Sequence, residues 1–425
     1  MLIKIKSPKY LSTVSIFFLF LLMLWSMSPW FAWKYTEIMA VAISGCFLLL
    51  RFILLMGYCR NNTITYSLLT AIAFAFLVYL MMRFRFVVRV WGVFNFVRTI
   101  LVFVFVMLMN KEEKKRIVSI ITTIYAWILG ISMIAYAIVM LGVDLPYIII
   151  EKPDNLFYPP FRNYGLFIMG SATSVSFLRF QSIFTEPGHL GVISAVFLYI
   201  NRYELKRKSV LIIFISVLIT LSLAAYVLLI LGILIYIVAK SKNIIGPLLK
   251  VVITTTLLIV IGYYYYLKNP DSIVSTMILS RFELDENKGI RGNNRTRASF
   301  DYYYETQFIT STQNILLGKN LNEFEYMVLL GRGGNNSYKV FLLRYGSIAL
   351  VLLFLLYFSI VAVKPSRLGF GLLLLCCISF LQRTQTPLWE MQLFLFIGAI
   401  QYFHTEKNEP PCDKLRGIKP DSRIN

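Results

Sequence analysis

Long apolar runs follow one another along almost the whole chain, and they constrain its fold more than any other feature. A helix that crosses a bilayer needs about twenty apolar residues. Runs close to this length are found at 11–32, 37–56, 63–82, 90–109, 117–141, 187–201, 209–221, 223–239, 248–267, 338–363, 368–382 and 387–403. With 58% hydrophobic and 15% charged residues, the chain cannot fold as a water-soluble globule. We therefore expect an all-α, polytopic integral membrane protein, a single membrane domain over residues 1–425 with about twelve transmembrane helices.

Basic residues cluster between these runs, which is the pattern that places the intervening segments in the cytoplasm. The clusters lie at 111–116, 202–208, 240–242 and 364–367, and in the tail from Lys407. The apolar stretch between the second and third clusters must therefore cross an even number of times, so we expect two short helices hinged near Ser222. Both termini then face the cytoplasm, with a tail at 404–425, and the long loops 142–186 and 268–337 lie on the outer face.

Charge and motif content exclude several classes of protein. The net charge of +21 comes from these clusters, so we expect no nucleic-acid partner. The five cysteines show no spacing that suggests a disulfide or a metal site. The chain also lacks a Walker loop, a Ser-His-Asp set and a His-x-x-x-His pair, which disfavours an ATPase, a serine hydrolase and a zinc enzyme. We expect no cofactor and no metal.

The segment from Arg179 to Gly191 places three ionisable side chains where a loop enters an apolar run. Such groups are costly near hydrocarbon and usually line a cavity. Glu186 precedes Pro187, which fits either a helix cap or a substrate-binding carboxylate. His189 is either a catalytic group or a structural one. Arg179 either binds phosphate or reaches from the bundle to the membrane surface.

Further cations lie in the outer loops. At least one of Arg291, Arg295 and Arg297 is expected to bind phosphate, and the glycines around Arg332 form either an anion-binding turn or a flexible loop. The stretch 298–310 predicts an amphipathic helix lying on the membrane. Arg83, Arg85 and Arg89 fall on the outer side against the charge rule, and Arg98 lies inside the fourth run. They indicate either a misplaced boundary or a groove for an anionic lipid headgroup.

Four segments together resemble the O-antigen polymerase and ligase superfamily. They are Arg179-…-Phe-Thr-Glu-Pro-Gly-His-Leu-Gly191, Thr220-Leu-Ser-Leu-Ala-Ala225, Arg297-…-Ile315-Leu-Leu-Gly318-…-Phe324 and Asn335-Asn336-Ser337-Tyr338-…-Leu343-Arg-Tyr-Gly346. The resemblance runs from about residue 160 to the C-terminus. Ligases of the superfamily carry a histidine where this chain has Asn335, so the resemblance favours the polymerase branch.

This resemblance implies a metal-independent glycosyltransferase of the bacterial inner membrane. It would join undecaprenyl-diphosphate-linked oligosaccharide units on the periplasmic face, making O-antigen or a related polysaccharide. Its partners would be membrane lipid and a chain-length regulator. Glu186 or His189 would act near the acceptor hydroxyl, and substrate would contact Arg179, Arg291, Arg295, Arg297, Arg332, Asn336 and Tyr338. A ligase, or a transporter of lipid-linked glycan, is the alternative.

Overall fold

The protein is mostly helical. A computed structural model describes residues 8–34, 37–56, 64–82, 90–151, 160–170, 179–241, 245–272, 275, 279–282, 284–285, 289–290, 298–319, 337–382 and 390–405. The helices are α1 Pro8–Trp25, α2 Trp30–Lys34, α3 Glu37–Met56, α4 Ile64–Met82, α5 Val90–Leu108, α6 Lys111–Met140, α7 Pro187–Ile200, α8 Lys208–Ile219, α9 Leu223–Lys240, α10 Ile245–Lys268, α11 Ala298–Tyr303, α12 Thr312–Leu317, α13 Ser337–Val363, α14 Arg367–Gln382 and α15 Glu390–Thr405.

Each predicted apolar run coincides with one of these helices. A long apolar segment forms a helix because the helix satisfies its own backbone hydrogen bonds and leaves an apolar surface. The first run, 11–32, is the exception, since it is divided between α1 and the short α2. The division lies at Ser28, whose φ of 52° is left-handed, and at Pro29, which cannot continue a helix. Among the described residues, four helices are long and apolar enough to cross a membrane: α6, α9, α10 and most of α13.

The basic clusters on different helices come together at one end of the bundle, here called the basic end. The pKa of Lys364, after α13, is lowered by partial burial and by the charges of Lys111 and Lys115 at the start of α6. Arg367, at the start of α14, donates to the carbonyl of Ser241, after α9, at 3.2 Å. The Arg202 guanidinium, after α7, lies 5.5 Å from the ring centre of Tyr402 in α15.

The segment after α6 contains a small antiparallel sheet that the all-α prediction did not include. Strands β1 Ile148–Ile150, β2 Phe161–Asn163 and β3 Ile168–Gly170 pair in that order, with Arg162 opposite both Ile149 and Met169. A second pair, β4 Leu284–Asp285 and β5 Gly289–Ile290, follows α10. Alternation over three residues is too short to be recognised as a strand from sequence.

The predicted amphipathic segment forms α11 and a π-helical turn at Tyr304–Phe308. We predicted that its apolar face would lie on the membrane, but another helix covers this face. Phe300, Tyr304 and Phe308 are buried against Val340 and Leu343 of α13, so the hydrophobic partner of this face is another helix. Lys339 adds an ion pair to Asp301 of α11, with a nitrogen–oxygen distance of 2.5 Å.

Candidate functional site

The loop 179–186, which joins the sheet segment to α7, is anchored in the core by apolar side chains. Phe180, Ile183 and Phe184 are fully buried, so their side chains anchor the loop in the core. Its backbone is also tied to two other parts of the chain. The amide of Trp30 donates to the carbonyl of Ile183 at 3.1 Å, and the amide of Ile168 donates to the carbonyl of Ser182 at 2.9 Å. The loop is therefore held in one conformation.

The break between α8 and α9 lies directly against this loop. The amide of Phe180 donates to the carbonyl of Ile219 at 3.3 Å, and Nε of Arg179 donates to the carbonyl of Thr220 at 3.3 Å. These carbonyls belong to the last turn of α8, where no intrahelical donor remains for them. The predicted break near Ser222 is confirmed, but only α8 is short, with 12 residues against 18 in α9. The arginine of the loop binds at this break.

Both facing segments carry a strained residue. Ser182 has a φ of 53° and Leu221 has a φ of 46°. Residues other than glycine seldom adopt this left-handed backbone conformation. Each such residue costs on the order of 1–3 kcal/mol and persists where the surroundings enforce it, often at functional sites. Two such residues lie on opposite sides of one contact, which makes this region a candidate site.

Glu186 stands at the N-cap position of α7, but its side chain makes no capping hydrogen bond. Its backbone is extended, with φ −140° and ψ 141°, because the ring of Pro187 excludes the helical conformation for the preceding residue. Glu186 therefore occupies the cap position that one of the two interpretations predicted, but without the capping hydrogen bond. The carboxylate is half-buried and lies at the N-terminus of α7.

His189 lies on the first turn of the same helix. Its Nδ1 is 3.3 Å from the Thr185 hydroxyl, and its amide donates to the carbonyl of Glu186 at 3.1 Å. A carboxylate and an imidazole, both half-buried, thus share the first turn of α7, and Arg179 lies seven residues before Glu186 in the same loop. Such a set can bind an anion through the guanidinium and can accept a proton from a hydroxyl.

Small residues bring α7 and α9 together behind this turn. A methyl group on Gly191 would lie 2.2 Å from the Ala225 Cβ and 3.2 Å from its Cα. Only glycine permits so close an approach. The first two segments of the resemblance, 179–191 and 220–225, are therefore in direct contact.

The other two segments also meet. Gly318 after α12 and Gly346 inside α13 have φ of 75° and 81°. A Cβ on Gly346 would lie 2.2 Å from the Leu316 carbonyl oxygen, and one on Gly318 would lie 2.7 Å from the amide nitrogen of Gly346. The amide of Lys319 donates to the carbonyl of Leu343 at 2.6 Å, so α12 is seated against a kink in α13.

Several predicted substrate-binding residues lie outside the described part of the chain: Arg291, Arg295, Arg297, Arg332 and Asn336, together with Arg83, Arg85 and Arg89. Tyr338 is exposed on the first turn of α13, next to the Lys339–Asp301 ion pair. Burial raises the pKa of the neighbouring Tyr304, so this phenol stays protonated near neutral pH.

The sequence interpretation missed two polar residues. Gln181 is 8% exposed, and its Nε2 has no hydrogen-bond partner. Glu390 begins α15 and lies within electrostatic range of Arg98. The rule that singled out Glu186, an acid at the start of an apolar run, also applies to Glu390. The sequence gives no sign that the Gln181 side chain is buried, because glutamine in a loop is usually solvated.

Among the described residues, no three His, Cys, Asp or Glu side chains come together in a way that could hold a metal ion. Comparisons with protein-family models, curated proteins and solved structures give no match to this chain. Its function must therefore be argued from the residues and their geometry.

Proposed function

We propose that the protein is a polysaccharide polymerase of the bacterial inner membrane, acting on undecaprenyl-diphosphate-linked oligosaccharide units. The observation that supports this proposal is that Arg179 contacts the α8–α9 break, while Glu186 and His189 lie at the start of α7, which packs on α9 through Gly191 and Ala225. This site offers a cation for a diphosphate and two groups that can take a proton from a sugar hydroxyl. The segments that form it are those that resemble the O-antigen polymerase and ligase superfamily.

Helix length supports a substrate attached to a lipid. At 1.5 Å per residue, α7 with 14 residues and α8 with 12 residues span about 21 and 18 Å. A bilayer core is about 30 Å thick. If the basic end faces the cytoplasm, the loop 179–186 then lies about 10 Å below the outer boundary of the hydrocarbon. A diphosphate at the end of a polyprenyl chain would reach such a recessed site, and irregular backbone is tolerated at this depth where it lines a cavity.

The reaction requires no cofactor. The hydroxyl oxygen of the acceptor sugar attacks the anomeric carbon of the donor glycan. The bond from that carbon to the diphosphate oxygen breaks, and undecaprenyl diphosphate leaves with the bonding electrons. Glu186 or His189 takes the hydroxyl proton, and Arg179 binds the diphosphate as its charge develops. This is the chemistry of a metal-independent glycosyltransferase.

The same proposal includes the membrane topology. Twelve crossings would place both termini and the basic end in the cytoplasm and the loops 142–186 and 268–337 in the periplasm. Clustering of basic residues from α6, α9, α13 and α14 at one end supports this orientation. The arginines of the second loop, the glycan and a chain-length regulator would then act on the outer side.

Replacement of the carboxylate tests the proposal. Glu186→Gln keeps the size of the side chain but cannot accept a proton, and a general base typically contributes about 10²- to 10⁴-fold in rate. We expect cells with this variant to accumulate single repeat units and to make no polymer at unchanged protein level, with Glu186→Asp retaining some activity.

Glu204→Gln is the matched control, since Glu204 is an exposed acid at the basic end. It should polymerise like the parent. Normal polymer from Glu186→Gln would remove Glu186 from the chemistry, and His189→Ala would then test the imidazole. Normal polymer from both variants would overturn the proposed function. Normal polymer in cells that lack this protein would also overturn it.

A further inference from the structure

Helix α6 exposes one apolar stripe that continues past the end of the helix. Trp127, Ile131 and Ile134 are exposed on successive turns of α6, and Leu141 and Val143 extend this stripe into the following segment. Because α6 is long and apolar enough to cross a membrane, the stripe is the side of the helix that would face lipid. The exposed apolar surface therefore runs without a break from the helix toward the sheet.

The edge strand β1 continues this surface. Ile148 is 69% exposed and Ile149 is 51% exposed, so apolar side chains project from both faces of the strand. Tyr147, directly before the strand, is also exposed. In the described sheet β1 pairs only with β2, so its other edge is open. Contiguous exposed apolar surface marks a contact with protein or membrane, and in water an open apolar edge promotes aggregation.

The length of α6 gives the depth of this surface. From Ile117, the first residue after the basic cluster at 111–116, to Met140 the helix rises about 35 Å at 1.5 Å per residue. The hydrocarbon of a bilayer is about 30 Å thick. With Ile117 at one boundary, a helix perpendicular to the membrane carries Met140 about 5 Å beyond the other boundary, into the headgroup layer. Strand β1 follows this end after a short connection.

The inner side of the sheet segment lies at a depth that agrees with this estimate. The Ser132 hydroxyl of α6 contacts the Leu166 carbonyl and lies 2.8 Å from the Ser182 hydroxyl. Ser132 is about 12 Å of helix below Met140, hence about 7 Å inside the hydrocarbon boundary. The lengths of α7 and α8 place the loop 179–186 at about 10 Å inside the same boundary. The sheet segment therefore extends from the level of this loop to the headgroup layer.

The aromatic residues around the sheet are of the kind found at a membrane interface. The Arg162 guanidinium lies 4.9 Å from the ring centre of Tyr147. The Trp30 indole donates to the turn between β2 and β3 at 2.9 Å, and the rings of Trp33 and Phe161 are 5.6 Å apart. Tyrosine and tryptophan are enriched at the level of the headgroups, where arginine can keep its charged head in water and its stem in apolar surroundings.

The open edge of β1 restricts its position from both sides. Open strand edges do not occur in hydrocarbon, because their backbone groups would have no hydrogen-bond partner. Exposed isoleucines on both faces disfavour bulk water. The headgroup layer satisfies both conditions, since it supplies water to the backbone and acyl chains to the side chains. Continuity with the lipid-facing stripe of α6 favours lipid over a protein partner.

We infer that the sheet β1–β3 is a membrane-surface platform, in which Leu141, Val143 and the exposed isoleucines of β1 insert into the leaflet opposite the basic end. The ligand of this surface is the phospholipid of that leaflet. The inference requires that α6 crosses the membrane, but it does not rest on the proposed function. The amide of Ile168 in β3 holds the Ser182 carbonyl at 2.9 Å, so the platform would attach the loop 179–186 to the bilayer surface.

Fluorescence quenching in nanodiscs tests this insertion at single positions. The five cysteines are first replaced by serine, and Ile148→Cys is then labelled with a bimane. The nanodisc lipids carry bromine either in the upper or in the lower part of their acyl chains. We expect upper bromine to quench the label at Ile148 more than lower bromine does, and aqueous iodide to quench it weakly. A label at Val143→Cys should give the same pattern.

Two labelled controls on the same chain bracket the result. Trp127→Cys lies on the α6 stripe about 15 Å from Ile117, so lower bromine should quench it most. Glu204→Cys, exposed at the basic end, should be quenched by iodide alone. Strong iodide quenching at Ile148 without an effect of bromine would overturn the inference. A label that neither quencher reaches would also overturn it, since protein would then cover the strand.

This experiment measures no polymerisation, so the two proposals fail separately. A protein whose β1 label follows the bromine pattern but which never joins repeat units would keep the platform and lose the proposed function. An active polymerase whose β1 label is quenched by iodide alone would do the reverse.

Discussion

At the scale of single residues, Arg179 connects the fold with the proposed chemistry. Its Nε holds the carbonyl of Thr220 at the end of α8. A guanidinium carries five N–H donors in a fixed fork, so one guanidinium can bind a carbonyl and a phosphate at the same time. Lysine cannot bind two separated acceptors in the same way, because its three donors lie on one nitrogen.

We therefore expect Arg179→Ala to lower the rate of polymerisation about tenfold to a hundredfold, because a hydrogen bond to a charged group contributes roughly 1.5–3 kcal/mol. Arg179→Lys should restore only part of this loss. The assay is polymer formed per membrane-inserted protein. Arg367→Ala is the control, since Arg367 makes a similar bond to the Ser241 carbonyl at the basic end. Equal activity of Arg179→Ala and the control would return Arg179 to a structural role.

At the scale of helices, the close contact between α7 and α9 depends on the absence of a side chain at Gly191. Gly191→Ala would force its Cβ to 2.2 Å from that of Ala225 and separate the helices that form the site. We expect a loss of stability of about 1–3 kcal/mol from overpacking, seen as a lower unfolding temperature in detergent, together with lower activity. Gly45→Ala in α3 is the control, since nothing lies within 4 Å of its added methyl group.

The reciprocal change refines this test. Adding Ala225→Gly to Gly191→Ala removes the Cβ that causes the closest clash, while the Ala225 Cα stays 3.2 Å away. Partial recovery of both unfolding temperature and activity is expected. If the double variant is no better than the single one, helix approach is not what glycine provides at this position.

A second element-scale prediction concerns the kink in α13. Gly346→Ala places a side chain at φ 81° and 2.2 Å from the Leu316 carbonyl oxygen, so α12 must leave its seat. Cleavage by an added protease within 298–319 should become faster in this variant, with the transmembrane helices intact. An unchanged cleavage rate would show that α12 does not depend on the kink.

At the scale of the whole molecule, the orientation in the membrane is the decisive property. Reporter fusions after Lys115, Lys206 and Lys364 should be active only in the cytoplasm, since all three lie at the basic end. A fusion after Gln313 in α12 should be active only outside. Gly346, against which α12 is seated, is about 27 Å of helix away from Lys364. A cytoplasmic signal at Gln313 would contradict the proposed mechanism, because the lipid-linked substrate would be on the other side.

The sequence by itself determined the helices, the α8–α9 pair and the position of the loop that carries Glu186. These follow from apolar length and from the placement of basic residues, which are properties of local segments. Only the tertiary structure decided that the 179–191 segment contacts 220–225, that Gly318 meets Gly346 and that α11 packs on α13. It also showed that the Glu186 side chain makes no capping hydrogen bond. Such contacts join residues far apart in the chain, so they depend on helix packing and on close approach of glycines, which no local pattern of hydrophobicity or charge records.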